Sequence, residues 1–336
     1  MKYKLLLGSY IDSVNAQDIN CFHIANYIDK NKFEVHAFCH SNNVKIEGVV
    51  FHKISNNRFL KNIQKLLRMI SLKADIYYLP RVEKVDILFA WLTKRRIVSS
   101  VEIQTVYDKK NYYRFFNRYI DGYFCISEFL NELNITCWHK NVPVIYLGID
   151  YLGKSVEHES LKKIIWVGSV CERKRPQLFL ELAQHHKNLD FCMVGDGNEL
   201  QIIKKIAQKN NIKNIKFEGK LSNEQTLVEI QNADLLCITS KQEGLPKIVL
   251  EAASKGVPTL YINEMYSVDY IKDGVNGFGV KNIQEMEKKI DLLYRDSQLY
   301  KKLSVEVGKL ANQYSWKRLI PQYEEFFKDF ASRRGM

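Results

Sequence analysis

Two glutamates, Glu243 and Glu251, stand with seven residues between them in the stretch SKQEGLPKIVLEAASKGVPTLYI. The order there is strand end, glycine-containing loop, helix start, which is the order an anion site needs. Gly244 lets the backbone approach a ligand closely, and Pro246 suits a first helical turn, where a missing N–H costs nothing. The free N–H groups of that turn, near Leu245, Pro246 and Lys247, carry the positive end of a helix dipole, about half a charge. A diphosphate would be stabilised by them. The two carboxylates could accept from sugar hydroxyls, Glu243 at the loop mouth and Glu251 deeper along the helix. On this segment alone they read equally well as a solvated loop residue and a surface helix residue.

Other reactive-looking groups give weaker signals. A literal G-x-x-x-x-G-K-S pattern runs from Gly148 to Ser155, but too few residues separate it from the next strand, near Lys163, for the helix that a phosphate-cradling loop must open. His36, Cys39 and His40 are close in sequence, yet on a strand His36 and Cys39 point to opposite faces. His185 and His186 end a predicted helix, where positive charge favours the dipole. There is no D-x-D pair, and the seven cysteines include no C-x-x-C spacing. Neither a metal-bridged phosphate site nor a cysteine zinc site is indicated, and phosphate charge must be met by Lys, Arg and helix dipole.

The elements that must position these residues fall into two runs. From residue 1 to about 150, short apolar segments such as YKLLLG, FEVHAFC, VVFHKIS and DIYYL alternate with helical-period stretches, among them Asp18 to Asp29, Phe59 to Leu72 and Tyr112 to Tyr119. VPVIYL closes the run as a last strand. A polar stretch, Asp150 to Lys163, precedes IIWVGS, after which the alternation resumes and then turns helical from Ile283 to Phe330. Alternation of this kind predicts parallel sheets with crossover helices, hence an α/β chain of two doubly wound halves. No apolar run approaches the ~20 residues of a membrane span.

Fifty Lys and Arg against 38 Asp and Glu give a formal charge of +12, which favours anionic partners. Aromatic residues sit in apolar periodic segments rather than among basic ones, so nucleic acid is not expected. The helix RFLKNIQKLLRMISLK has one apolar face and one basic face. It reads as a helix packed on the sheet with its basic face in water, or as one lying on an anionic membrane.

Beside EGLPKIVLE with its paired glutamates, the chain contains IIWVGSVCERKRP, MVGDGNE, ADLLCITSKQEGLP, KDGVNGF and YSWKRLIPQY, and in the first half FCISEFL and VIYLGID. In these segments it resembles the family-4 retaining glycosyltransferases. The resemblance implies a GT-B fold, two Rossmann-like domains facing a cleft. It places an acceptor-side domain at 1–150, a nucleotide-sugar domain at 151–312 and a terminal helix at 313–336 that crosses back to the first domain. It implies that Glu243 contacts the donor sugar, that Glu251 meets the ribose with Gly195 beside the nucleotide, and that Lys174 binds the diphosphate.

Three departures from the family pattern set further expectations. Ser169 stands where an Arg often follows the Gly, so Arg173 becomes the candidate second phosphate cation, its guanidinium suiting phosphate oxygens. IDSVNAQD replaces a Gly-Gly loop, leaving Gly8 as the residue for close approach. VSSVEIQTVY lacks the His expected near the acceptor, and Glu102 is its nearest polar candidate. The resemblance implies a nucleotide-sugar donor, most often a uridine diphosphate sugar, a sugar or lipid-linked glycan acceptor, and no cofactor or divalent metal. It suggests a cytoplasmic enzyme of cell-surface polysaccharide, lipopolysaccharide or glycolipid assembly, peripheral on the inner membrane face. A catalytically silent donor-binding partner subunit and a sugar-nucleotide epimerase are the alternatives.

Overall fold

The structure is a computed structural model that describes every residue except 1, 14, 42, 103–116, 152, 154, 155 and 334–336, and the side chains of Arg58 and Asn117. The helix predicted near Tyr112 to Tyr119 falls largely outside these described residues, as do Lys154 and Ser155 of the G-x-x-x-x-G-K-S pattern. Residues 156–162 contain no helix before the strand at Lys163 begins. Two compact units are present, Met1–Leu147 with Trp316–Met336, and Gly148–Ser315.

Unit 1 has strands β1 (Tyr3–Tyr10), β2 (Phe33–Cys39), β3 (Val49–Lys53), β4 (Ile76–Tyr78), β5 (Ile97–Val101) and β6 (Ile120–Cys125), all parallel, in the order β3-β2-β1-β4-β5-β6. VPVIYL forms no strand; it adds a single bridge between Val144 and Cys125. Helix α1 (Ala16–Tyr27) links β1 to β2 outward, whereas α2 (Arg58–Leu72) and α3 (Lys84–Thr93) step back the other way. Right-handed crossovers therefore put α2 and α3 on the face opposite α1. After β6 comes α4 (Glu128–Trp138). The last helix of the chain, Trp316–Ser332, packs with α1: Trp316 stacks on His23 at 5.4 Å, Glu324 accepts the Asp29 N–H at 2.9 Å, and the Tyr323 hydroxyl donates to the Tyr146 carbonyl.

Helix α2 corrects one expectation. Its basic face is not the solvated one. Lys61, Lys65, Met69 and Leu72 recur at helical spacing and turn inward, while Phe59, Ile63, Leu67 and Ile70, two residues out of phase and so on the far side, are exposed. Lys65, 1% exposed, is held by Asp86 at 2.9 Å and Glu83 at 3.1 Å, two carboxylates at the start of α3. A buried ammonium demands such partners, and these two fix the helix in this rotation.

Unit 2 has strands β7 (Lys163–Val167), β8 (Asp190–Val194), β9 (Ile215–Gly219), β10 (Leu235–Ile238), β11 (Thr259–Ile262) and β12 (Gly277–Val280), again parallel, ordered β12-β11-β10-β7-β8-β9. Its helices are α5 (Pro176–His185), α6 (Leu200–Lys209), α7 (Asn223–Gln231), α8 (Ile248–Ala253), α9 (Ile283–Arg295) and α10 (Ser297–Gln313), which makes the final helix α11. The strands are near-continuous apolar runs, IIWV, FCMV, LLCI and TLYI, as a sheet covered on both faces requires. Trp166, Phe179, Met193, Leu260 and Tyr300 lie in the core between sheet and helices.

Candidate functional site

The strand order of unit 2 reverses between β7 and β10. Chain leaving β7 travels toward β9, chain leaving β10 travels toward β12, and a crevice opens at the carboxyl ends of the two strands, the usual ligand position in open α/β sheets. Lys174 and Arg173 lie in the turn after β7, Glu243 in the loop after β10. The structure brings these three together. Lys174 Nζ sits 2.5 Å and Arg173 Nη1 3.2 Å from the same Glu243 oxygen, Oε1.

Backbone contacts hold the cations in place. The turn Glu172–Lys174 is locked to the β10 end: the Thr239 hydroxyl donates to the Lys174 carbonyl at 2.7 Å, the Trp166 indole N–H donates to Thr239 at 3.0 Å, and the Lys241 N–H donates to the Arg173 carbonyl. Arg173 also donates to the Gln242 carbonyl at 2.7 Å. Arg175 adopts a left-handed conformation, φ +48°, that ends the turn just before Pro176 opens α5. Its guanidinium donates to the Thr239 and Ser240 carbonyls and pairs with Glu264 after β11. One arginine thus ties together the loops that follow β7, β10 and β11.

Glycines let the neighbouring strand ends close up. Gly195, at φ +141°, would place a Cβ 1.8 Å from the Gly168 carbonyl oxygen, and Gly197 one 2.3 Å from that of Val170. Gly195 therefore serves backbone packing between the β7 and β8 ends. A Cβ on Gly168 would lie 3.5 Å from Lys174 Cε, in ordinary contact. Ser169 is exposed beside it.

Electrostatics distinguish the two glutamates of the motif. Burial would raise the Glu243 carboxyl, but Lys174 by charge and hydrogen bond, and then Arg173, hold it below the ordinary carboxylate range. Glu243 is ionised at neutral pH. Glu251 is raised by burial, which Lys247 only partly offsets, and Lys247 is in turn lowered by burial against the pull of Glu251 and Asp150. The two charges influence each other, Lys247 from the residue ahead of α8 and Glu251 from within that helix. That helix is shorter than the motif suggested, six residues from Ile248. Pro246 and Lys247 make the turn ahead of it, their carbonyls accepting the Val249 and Leu250 N–H groups, while Leu245 is buried and Gly244 half-buried between Glu243 and that turn.

Sequence reasoning missed two residues here, Arg175 and Tyr266. Tyr266 is buried in the loop after β11; burial raises its hydroxyl well above the usual value, and Glu243 adds to the rise. The signal for Arg175 was present in the run ERKRP, where a residue ahead of Pro is pushed out of the helical region.

In unit 1, Glu102 follows β5 at the carboxyl end of that sheet, and it is buried. Ser100 Oγ donates to it at 2.8 Å and Tyr78 hydrogen-bonds Ser100 at 3.0 Å. Burial pushes its carboxyl up to about 7; contacts with Ser100 and Asn20 work against this and the Asp18 charge adds to it. Among the described residues no Lys or Arg pairs with it. Gly8 is buried within β1, where a Cβ would meet Leu79 Cδ2 at 2.0 Å. The strand packing alone accounts for a glycine there.

Two groups of metal-capable side chains occur among the described residues, Glu181 with His185 and Glu287, and Cys192 with Glu218 and Glu229. In the first, His185 hydrogen-bonds Glu287; in the second, Lys163 and Lys216 already pair with the carboxylates. His36 bonds His52 and Glu34 instead of meeting Cys39.

The pattern of the family described as glycosyl transferases group 1 matches residues 150–309. The O-antigen biosynthesis glycosyltransferase WbnH of Escherichia coli is 28% identical over 167 residues, 49% of this chain and 45% of that protein. A Campylobacter jejuni GalNAc-alpha-(1->4)-GalNAc-alpha-(1->3)-diNAcBac-PP-undecaprenol alpha-1,4-N-acetyl-D-galactosaminyltransferase is 30% identical over 159 residues, 44% of this chain and 42% of that one. The chain thus spans a little under half the length of these curated relatives. Among solved structures, Anabaena Alr3699/HepE in complex with UDP superposes with a TM-score of 0.77 at 16% identity, covering 98% of this chain and 100% of that one. Two Rossmann-like sheets in one chain are the GT-B fold, and residues 150–309, which hold Lys174, Glu243 and the crevice between β7 and β10, are similar to the glycosyl transferases group 1 family.

Proposed function

We propose that the chain is a retaining glycosyltransferase that moves a hexose from a nucleoside diphosphate sugar, a uridine diphosphate sugar first of all, to an acceptor hydroxyl in cell-surface polysaccharide or lipid-linked glycan assembly. The observation that carries this reading is the Lys174, Arg173 and Glu243 cluster at the unit 2 switch point. The relatives support the finer reading: HepE is seen in complex with UDP, and the Campylobacter relative is named for a lipid-linked diphosphate glycan.

Cleaving the bond between sugar and diphosphate builds negative charge on the leaving phosphates and positive charge on the sugar ring. Fixed cations at the phosphates stabilise that transition state more than the ground state. In the proposed complex the diphosphate takes Lys174 and Arg173 from Glu243. The ionised Glu243 then accepts from donor sugar hydroxyls, and Glu251 accepts from the ribose. The turn that carries both cations is held by backbone contacts before donor arrives, so little reorganisation is needed at the reacting centre. Acceptor attacks from the face the diphosphate leaves, with retention of configuration. Glu102, whose carboxyl titrates near neutrality, is the proposed acceptor-side group, suited to exchange a proton with a hydroxyl.

The test is turnover of a panel of nucleotide sugars followed by NMR of the anomeric product. Transfer with retention, abolished by Glu243→Ala, is the expected result. An inverted product would contradict retention. Conversion of donor without acceptor would indicate an epimerase, and tight donor binding without any turnover a silent subunit.

A further inference from the structure

The orientation of α2 leaves its apolar stripe uncovered by the described residues. Phe59, Leu60, Ile63, Leu67 and Ile70 are all exposed, Phe59 at 74% and Leu67 at 60%, on the side away from the sheet. The neighbouring α3 repeats the pattern with Leu88, Trp91 and Leu92, one helical face, Trp91 at 55%. This is not a helix loosely docked the wrong way round. Asn57 caps α2 by accepting from the Phe59 and Leu60 N–H groups, and the buried Lys65 is clamped by Asp86 and Glu83, so rotation that hid the apolar stripe would strip a buried charge of its partners.

Charge around these helices is one-sided. Residues 53–96 carry eleven Lys and Arg against three acids, eight of the chain's +12. All three acids are engaged: Asp75 accepts the Lys4 N–H, and Glu83 and Asp86 hold Lys65. Lys53, Arg68, Lys73, Lys84 and Lys94 are exposed. No helix among the described residues is long and apolar enough to cross a membrane.

We propose that the outer face of α2 and α3 is a docking surface for an anionic lipid bilayer, with Phe59, Leu67 and Trp91 entering the boundary between headgroups and acyl chains and the flanking Lys and Arg meeting lipid phosphates. Large apolar and aromatic groups beside basic ones on a helix lying in the interface plane are the chemistry such a surface recognises. Each Lys or Arg near an anionic leaflet adds to the attraction, and added salt weakens it. A second copy of the chain is the poorer occupant. A two-fold contact would set this basic segment against itself, with no exposed acid in it to answer the charge. The inference is independent of the transferase reading, because its test measures no activity.

The experiment is sedimentation of the full chain with vesicles of phosphatidylcholine alone and of phosphatidylcholine with about 30% phosphatidylglycerol, at low and high salt. Expected is partitioning at least ~10-fold stronger on the anionic vesicles and weaker in salt, as charge attraction requires. Phe59→Ser with Leu67→Ser should reduce it by about tenfold or more, since each exposed apolar group contributes through its buried area. Arg68→Glu with Lys73→Glu should do so through charge. All four positions are exposed, so melting temperature should hold, and Trp91→Phe should remove any vesicle-induced blue shift of tryptophan fluorescence. Equal binding to both vesicle types, binding untouched by either pair of changes, or absence of binding at low salt would overturn the proposal. So would a wild-type dimer by light scattering that the serine pair converts to monomer.

Discussion

Two glutamates, one buried and one largely so, occupy comparable positions at the carboxyl ends of two parallel sheets, and they are driven in opposite directions. Glu243 follows β10 in unit 2 and is held low by Lys174 and Arg173; Glu102 follows β5 in unit 1 and is raised to about 7 by burial without a cation. The residue type is the same, so the difference is set by what the neighbouring loops deliver. Unit 2 brings a cationic turn to its switch point, the charge that the proposed diphosphate leaving group would need. Unit 1 places Ser100 and Asn20 against its carboxyl and no cation among the described residues. One fold, used twice, gives its two carboxyls opposite surroundings through a few loop residues.

The comparison can be broken most forcefully at Lys174. Lys174→Ala should lower kcat by about 10²-fold or more, the scale for losing one preorganised transition-state contact. Steady-state kinetics with the preferred donor would measure it. A change of only a few fold would move the phosphate site elsewhere.

The next effect contrasts the two glycines at the strand ends. Gly195→Ala forces a Cβ into the Gly168 carbonyl at a backbone angle unfavourable to any side chain, whereas Gly8→Ala at an ordinary backbone angle clashes with a side-chain atom, Leu79 Cδ2, and meets Leu79 Cγ and the Tyr78 carbonyl oxygen at 3.3 Å. The first should destabilise by roughly 3 kcal/mol or more and the second by about 1 to 2. Denaturant unfolding of both variants would rank them, and equal values would show that the β7 and β8 ends can separate at little cost.

The pH response follows from the opposite shifts. A carboxyl raised in the folded chain is best tolerated when protonated: its stability is complete below the unfolded value of about 4.5 and is lost as pH rises through about 7. Glu102→Gln should therefore gain on the parent between pH 4.5 and 7.5, by at most about 3 kcal/mol. Glu243 has the other sign, its contribution present above the unfolded value and lost as pH falls through its lowered folded one. Melting curves from pH 5 to 8 would check the Glu102 arm, and a constant difference would show that its environment holds a compensating charge.

The smallest effect belongs to Arg173, whose side chain is half exposed. Arg173→Ala should alter unfolding stability by less than about 1 kcal/mol, because solvent screens its pair with Glu243. Donor affinity should fall by only a few fold. A loss as large as that of Lys174→Ala would mean the guanidinium carries the diphosphate.

Much of this was legible in the residues, for identifiable reasons. The apolar runs IIWV, FCMV and LLCI announce buried parallel strands because period and composition reflect burial directly. Glu243 stood out by the strand, loop and helix order around it, whereas Lys174 was marked by the family resemblance and Arg173 by standing beside it. Other features depend on partners remote in sequence. That α2 faces its apolar stripe outward depends on Glu83 and Asp86, 18 and 21 residues beyond Lys65; periodicity shows a stripe but not which side packs. Arg175 and Tyr266 gain their place through Glu264, Thr239 and Glu243 on other loops. The short α8, Ile248–Ala253, was not foreseen either, since PKIVLEAASK has the composition of a longer helix.

The central claim, that Lys174 and its neighbours hold a donor diphosphate, is tested most directly by calorimetric titration of UDP and UMP into the parent chain and Lys174→Ala. The account predicts that the parent prefers UDP by about tenfold or more, as an added charge-assisted phosphate contact should give, and that the variant loses most of this preference. A preference for UDP that survives intact in Lys174→Ala would contradict it.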